Sequence, residues 1–141
     1  MKSVFLDTNV VIDFLADRRP FSLAAAEIFS ASVNSRVKLF ISAVSYNNIY
    51  YILRQSLSHN QTIKLLDELC EMTEIADVTK LIITKSLKPG FGDFEDTVQY
   101  HCALNLDIID FIITRNSRDF KKSILPILSP EEAITIINSE D

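Results

Sequence analysis

The sequence predicts an α/β domain in which a parallel sheet is covered by helices on both faces. Short apolar runs, rich in β-branched and aromatic residues, alternate along the chain with longer helical stretches. The runs are continuously apolar, as expected of strands that are buried on both sides. Neither a repeat nor a linker interrupts the 141 residues. We therefore expect one domain over residues 1–141, with residues 138–141 forming a short tail.

The first half of the chain contains three strand signals, of which the third is weak. We predict strands at residues 4–6, 39–41 and 74–76, and helices at residues 10–17, 22–33, 44–57 and 58–70. Thr8 or Asn9 is the expected cap of the first helix. Ser58 opens the last of these helices because Gln61 stands three residues later, which is the spacing of a capping box.

The second half continues the alternation of strands and helices. We predict helices at residues 78–87, at residues 93–104 and after Ser129, and strands at residues 111–113 and 124–128. Pro126 marks the last strand as an edge strand, because proline cannot donate to a neighbouring strand. Ser129 and Glu132 form a second capping box, with Pro130 at the first helical position.

Composition excludes several classes of protein. The net charge is −5 and the pI is about 5.0, which argues against a protein that coats nucleic acid non-specifically. We expect no signal peptide and no membrane partner, because no apolar run approaches the ~18 residues of a membrane span. Cys70 and Cys102 have no metal-type spacing, so we interpret both as reduced core thiols of a cytoplasmic protein.

Acidic and amide side chains stand at the junctions between elements. Asp7 ends the first strand, Asp96 follows Asp93 in the first turn of a helix, and Asn116 and Asp119 follow the fourth strand. Ligands of open α/β sheets bind beyond the carboxyl ends of the strands, so these side chains are candidates for one site. Crowded carboxylates repel one another unless a cation lies between them, and hard oxygen ligands select Mg²⁺ or Mn²⁺.

Structural roles compete with this interpretation at each position. An Asp at a strand end or helix start is commonly a cap, and we assign that role to Asp93. Asp96 could serve the helix dipole and Asp119 could be a turn residue. The order of the motifs along the chain is more specific than any one of them.

These motifs make the chain resemble the PIN-domain family, which includes the toxin ribonucleases of bacterial toxin–antitoxin pairs. The matching segments, in family order, are residues 4–9 (VFLDTN), residues 41–45 (ISAVS), Asp96 with its helix, residues 113–116 (ITRN), and Asp119 with Phe120.

The resemblance implies a three-layer fold whose five-stranded parallel sheet has the order 3-2-1-4-5. It also implies a metal-dependent endoribonuclease that uses Mg²⁺ or Mn²⁺, with RNA as substrate. An antitoxin protein and a second copy of the chain are candidate partners. The implied catalytic residues are Asp7, Asp96 and Asp119. Asn116 joins them as a metal ligand, and the implied second shell is Thr8, Asn9, Asn48 and Thr114.

The chain departs from the family seriously at one position and more mildly at another. Members usually carry a Glu in the helix after the second strand, and Asn48 falls nearest that place. Asn116 likewise stands where many members have an Asp. These departures favour an alternative function, a PIN-like domain that serves as an RNA-binding or protein-interaction module. A phosphatase of the haloacid-dehalogenase type would need a second Asp two residues after Asp7, where Asn9 stands.

Basic residues collect near the same edge in the sequence. A phosphate backbone that enters an acidic site would need such a basic rim, and a solvated charged surface is the competing interpretation. The residues concerned are Arg18, Arg19, Arg115, Arg118, Lys121 and Lys122.

Overall fold

The computed structural model describes residues 1–139 and contains one five-stranded parallel sheet. The strands are β1 (Lys2–Leu6), β2 (Val37–Ser42), β3 (Glu74–Ala76), β4 (Phe111–Ile113) and β5 (Ile127–Leu128). Their order across the sheet is β3-β2-β1-β4-β5, and every pairing is parallel. The predicted fold class and strand order are therefore confirmed.

Seven α-helices of the described chain connect and cover these strands. They are α1 (Thr8–Leu15), α2 (Phe21–Val33), α3 (Ala43–Leu53), α4 (His59–Met72), α5 (Lys80–Ser86), α6 (Phe94–Leu106) and α7 (Pro130–Asn138). Both predicted capping boxes are present, at Ser58 with Gln61 and at Ser129 with Glu132. A short 3₁₀ helix, Ser117–Phe120, follows β4.

The two faces of the sheet bury two separate apolar clusters. Val4 and Leu6 of β1 pack on the face that α1 to α4 and α7 cover, whereas Phe5 packs on the opposite face with α5 and α6. Successive side chains of a strand point to opposite faces, so a continuously apolar strand fills both clusters. This explains why the strands lack an alternating pattern.

The crossover in strand order places the end of β1 beside the end of β4. Leu6 is paired with Ile113, and the Asp7 amide donates to the Ile113 carbonyl at 3.0 Å. Strand order reverses at β1, and such a reversal opens a crevice at the carboxyl edge of a parallel sheet. The residues that follow β1, β2 and β4 therefore meet at this edge.

Several sequence predictions need correction. The first helix begins at Thr8, and its cap is Asp7, acting through its backbone and not its side chain, instead of Thr8 or Asn9. Cys102 is buried but Cys70 is exposed. Leu69 carries the buried stripe of α4, and Cys70 lies one position away from it.

The predicted boundaries also differ near the C-terminus. The last strand contains only Ile127–Leu128 instead of residues 124–128, although β5 is the predicted edge strand. The predicted tail at residues 138–141 begins one residue too early, because Asn138 still belongs to α7. Residues 140 and 141 of that tail lie outside the described residues.

No helix within residues 1–139 combines the length and the apolar character needed to cross a bilayer.

Candidate active site

Asp7 is the most enclosed carboxylate at the carboxyl edge of the sheet. Only 2% of its surface is exposed, and each of its side-chain oxygens accepts a hydrogen bond. The Thr114 hydroxyl donates to Oδ2 at 2.8 Å, and the Gln99 amide donates to Oδ1 at 3.1 Å. Burial raises the pKa of Asp7, and these two donors oppose the rise. The carboxylate is thereby fixed in orientation without a positive charge beside it.

Gln99 joins the start of α1 to α6. Its carbonyl oxygen accepts from the Thr8 amide at 3.1 Å and from the Thr8 hydroxyl at 3.3 Å, while its NH₂ group holds Asp7. The Thr8 hydroxyl also lies 2.7 Å from that of Ser45 on α3. Thr8, Ser45 and Gln99 are buried, so this network holds three helices at the edge with its polar groups satisfied.

The first turn of α6 brings two further carboxylates to this edge. Asp93 is the cap of the helix, as predicted, because its side chain accepts from the Asp96 amide at 3.0 Å. Asp96 and Glu95 are half-buried. Burial and the nearby charges of Asp7, Asp93, Asp119 and Glu95 raise the pKa of Asp96 to about 8.

Glu95 belongs to the same electrostatic cluster. Burial is the main cause that raises its pKa, and the charge of Asp7 adds to the increase. The side-chain amide of Asn48, on α3, donates to a carboxylate oxygen of Glu95. Asn48 is thus placed against an acid of the cluster, but it brings no charge of its own.

The loop after β4 supplies the remaining candidate residues. The Thr114 hydroxyl donates to Asp7 and accepts a hydrogen bond from the backbone N–H of Asn116 at 3.0 Å. Asp119 is half-buried in the 3₁₀ helix, and its charge raises the pKa of both Asp7 and Asp96. Asn116 is exposed at the rim. An open cleft of about 350 Å³ runs along residues 115–119.

The half-buried Arg115 of this loop forms an ion pair with the buried Asp13. Asp13 lies inside α1 and is almost fully buried. Arg115 donates to its two oxygens at 2.6 and 3.1 Å, and the guanidinium lies 4.0 Å from the centre of the Phe21 ring. The pair anchors the start of the loop that carries Asn116 and Asp119.

Three of the six residues of the predicted basic rim form ion pairs within the protein. Arg18 approaches Asp13 at 3.8 Å, and Arg19 binds the exposed Asp17 at 3.1 Å. The three remaining basic residues are exposed and make no salt bridge to a described carboxylate. These are Arg118, Lys121 and Lys122.

The donor chemistry at the edge fits a hard divalent cation. Neighbouring acids raise the pKa of Asp7, Glu95 and Asp96, and Asp119 is one of those neighbours. No described Lys or Arg forms a salt bridge with any of these four carboxylates. As they stand, however, no group of three acid, His or Cys side chains within residues 1–139 has a geometry that could hold a metal ion. Binding would therefore have to draw these oxygens together.

The site contains three residues that the sequence reasoning did not select. Gln99, Glu95 and Ser45 take part in the network described above. A signal for two of them was available, since Glu95 and Gln99 are four residues apart on one helix and therefore share a face with each other. Asn9, in contrast, is half-buried and makes no side-chain hydrogen bond to another residue of the described chain.

Comparison with known proteins gives one family match over most of the chain. A family model described as PIN domain matches residues 3–118. The curated protein Ribonuclease VapC1 of Aquifex aeolicus (strain VF5) is 26% identical over 139 residues, which cover 93% of this chain and 92% of that protein.

Solved structures share the fold at lower identity. VapBC from Salmonella typhimurium, bound to DNA, matches with a TM-score of 0.67 and 16% identity, covering 92% of this chain and 99% of that chain. A toxin–antitoxin complex from Klebsiella pneumoniae matches with a TM-score of 0.66 and 20% identity, covering 90% and 97%. At such identities the likeness extends to the fold alone.

Proposed function

Because this chain belongs to the PIN-domain family, we propose that it is an endoribonuclease that hydrolyses RNA phosphodiester bonds. The observation that carries the proposal is the convergence of Asp7, Asp96 and Asp119 on one edge of the sheet, where the charge of Asp119 adds to burial in raising the pKa of both Asp7 and Asp96. Such an uncompensated cluster is unusual in a purely structural role and typical of a functional site.

Mg²⁺ or Mn²⁺ is the cofactor of this proposal. Asp7, Asp96 and Asp119 would hold the cation, with the Asn116 side chain at the rim as a further oxygen ligand. When bound, such a cation polarises a phosphoryl oxygen and activates water for hydrolysis. The lack of a compensating positive charge supports this assignment. Burial and then the neighbouring acids raise the pKa of Asp96, and a bound dication would offset the repulsion from those acids.

The surrounding residues orient these ligands. Thr114 and Gln99 fix the two oxygens of Asp7, so that its carboxylate cannot rotate. Thr8 fixes Gln99 in turn. Asn48 acts from α3 on Glu95, and Asn9 remains a predicted member of this second layer without an observed contact.

RNA would reach the site along the cleft of residues 115–119. Arg118 lines this cleft, and Lys121 and Lys122 are exposed just beyond it. These three cations would contact the phosphate backbone, because phosphate contacts position a nucleic acid over a site. They are few, which agrees with the net charge of −5 and with a substrate held locally at the site.

The biological setting is part of the proposal. The curated relative named above is a ribonuclease, and the two structural neighbours named above are a VapBC complex and a toxin–antitoxin complex. We therefore assign to this chain the role of the toxin of a toxin–antitoxin pair, with an antitoxin protein as partner. It would act as one domain in the cytoplasm, and a homodimer is a further expected assembly.

A second candidate is a PIN domain that binds RNA or protein without cleaving RNA. The neutral side chain of Asn48 beside the acidic cluster favours it, since one expected carboxylate is absent from α3. An end-labelled RNA mixed with the purified protein and Mn²⁺ separates the two candidates. The enzyme predicts shortened products that accumulate with time. Retention of intact RNA, equal for wild type and Asp7→Asn, would support the binding module instead.

A further inference from the structure

Asn48 and Glu95 approach the acidic edge from two different helices. Asn48 lies one turn into α3, and Glu95 lies in the first turn of α6. The Asn48 amide donates to the Glu95 carboxylate, and both side chains are half-buried. The Glu95 carboxylate therefore lies directly against the side chain of Asn48 at the acidic edge.

The amide orientation identifies which partner supplies charge. Asn48 uses its NH₂ group toward Glu95, so Glu95 is the acceptor in this contact. One carboxylate oxygen is engaged there, and a carboxylate has four lone-pair positions in all. Glu95 therefore keeps acceptor capacity for another ligand.

Nothing in the described chain neutralises Glu95. No salt bridge of the described residues includes it, and its neighbours Asp7 and Asp93 are acidic. A half-buried carboxylate among like charges costs stability unless a cation compensates it. The hydrogen bond from Asn48 offsets part of this cost but brings no positive charge, so the metal-free fold leaves the Glu95 charge without a compensating cation.

We propose that Glu95 is a further metal-ligating residue of this site, supplying from α6 the carboxylate that α3 lacks at Asn48. Asn48 is then a positioning residue that holds the Glu95 carboxylate by one hydrogen bond. The inference rests on the proposed function, because it needs a divalent cation at the same edge. It removes the reason to regard the neutral Asn48 as the mark of an inactive site.

The test is Mn²⁺ binding to the full chain, measured by titration calorimetry. Glu95→Gln keeps the size of the side chain and one acceptor oxygen for Asn48 but removes the charge. We expect Kd for Mn²⁺ to rise about tenfold, the effect of losing one ligand bond. Glu71→Gln is the matched control, because it makes the same charge change at the other edge of the sheet, close to β3, and should leave Kd unchanged.

An exchanged pair tests whether the two positions are equivalent. Asn48→Glu combined with Glu95→Gln returns the carboxylate to α3 and leaves an amide on α6. We expect its Kd to lie within about threefold of the wild-type value. In chelator, the Glu95→Gln protein should have a melting temperature no lower than that of wild type. If Glu95 were only a structural partner of Asn48, the substitution would lower the melting temperature and leave Kd unchanged.

The outcomes separate this inference from the proposed function. If wild type binds Mn²⁺, Asp96→Asn weakens the binding and Glu95→Gln does not, the role of Glu95 is overturned and the ribonuclease proposal stands. Weakening by Glu95→Gln without recovery in the exchanged pair overturns the equivalence with Asn48, and with it the inference. A wild type that binds no Mn²⁺ overturns the inference together with the metal dependence of the proposed enzyme.

Discussion

Arg115 donates two hydrogen bonds to the buried carboxylate of Asp13, which ties the loop after β4 to the interior of α1. Asp13 has almost no exposed surface, and Arg115 is about one-quarter exposed. The contact lies between residues that are 102 positions apart in the chain. It therefore closes one side of the candidate active site by a long-range interaction.

Removing the Arg115 guanidinium should destabilise the protein. In Arg115→Met the Asp13 carboxylate stays buried and keeps only the more distant Arg18, at 3.8 Å. We expect the free energy of unfolding to fall by about 2–3 kcal/mol, below the full cost of an unpaired buried charge because Arg18 compensates in part. Denaturant unfolding measures this value.

Arg19→Met is the matched control for that substitution. Arg19 and Asp17 form a salt bridge whose side chains are 67% and 69% exposed, so its loss should change the free energy of unfolding much less than the loss of Arg115 does. If both substitutions lowered the free energy of unfolding by the same amount, the Asp13–Arg115 pair would contribute no more stability than an exposed salt bridge.

Asp96→Asn should stabilise the metal-free protein. Burial and the charges of Asp7, Asp93, Asp119 and Glu95 raise the pKa of Asp96 to about 8, so folding at pH 7 must keep this carboxyl group protonated at a cost that the neutral Asn avoids. Because solvent screens a half-buried group, we expect a gain of only about 0.5–1 kcal/mol at pH 7. The denaturant midpoint in chelator gives the answer. A loss of stability would instead indicate that Asp96 serves the start of α6.

The same carboxylate predicts a pH dependence. The pKa of Asp96 rises from 3.8 to about 8 on folding, so between these values the folded chain keeps a proton that the unfolded chain has lost. Stability contributed by this group therefore decreases as pH rises from about 4 to about 8. The difference in unfolding free energy between Asp96→Asn and wild type, in chelator, should grow over that range. A difference that is constant with pH would contradict the assignment.

Much of this fold could be predicted from the sequence because strong local signals agree with the tertiary structure. The apolar runs around Phe5 and Ile112 are strands that fill both faces of the sheet, and both capping boxes begin helices. The start of α1 was misplaced because the Asp7 backbone, and no capping side chain, opens this helix. Capping rules use only neighbouring residues, so they do not include the hydrogen bonds by which Thr114 and Gln99 already hold the Asp7 side chain.

The residues of the site were less predictable, and the reason is again physical. The first turn of α6 has the pattern Asp93-Phe94-Glu95-Asp96, and sequence spacing alone does not show which acid faces the sheet edge. The contact with Asn48 decides that Glu95 does so too, and this contact spans 47 residues. Arg115 was predicted to contact RNA, but its partner Asp13 is revealed only by the pairing of β1 with β4.

Asn48→Glu should have opposite effects with and without metal. In the metal-free protein the new carboxylate would face Glu95 instead of donating to it, so stability should decrease. With Mn²⁺ the additional ligand charge should lower Kd by roughly tenfold. Chelator-state unfolding and Mn²⁺ titration check the two signs. If both quantities stay at their wild-type values, Asn48 does not contribute to the site.

The central claim is metal-dependent RNA cleavage by the carboxylates at the sheet edge, and one cleavage assay tests it most directly. Wild type, Asp7→Asn, Asp96→Asn and the control Glu71→Gln are each incubated with labelled RNA in Mn²⁺, in excess chelator, and after Mn²⁺ is restored. We predict that wild type and Glu71→Gln cleave only when Mn²⁺ is present, and that the two active-site variants are slower by about 10²-fold or more. Cleavage that continues undiminished in chelator, or in Asp7→Asn and Asp96→Asn, would contradict the account.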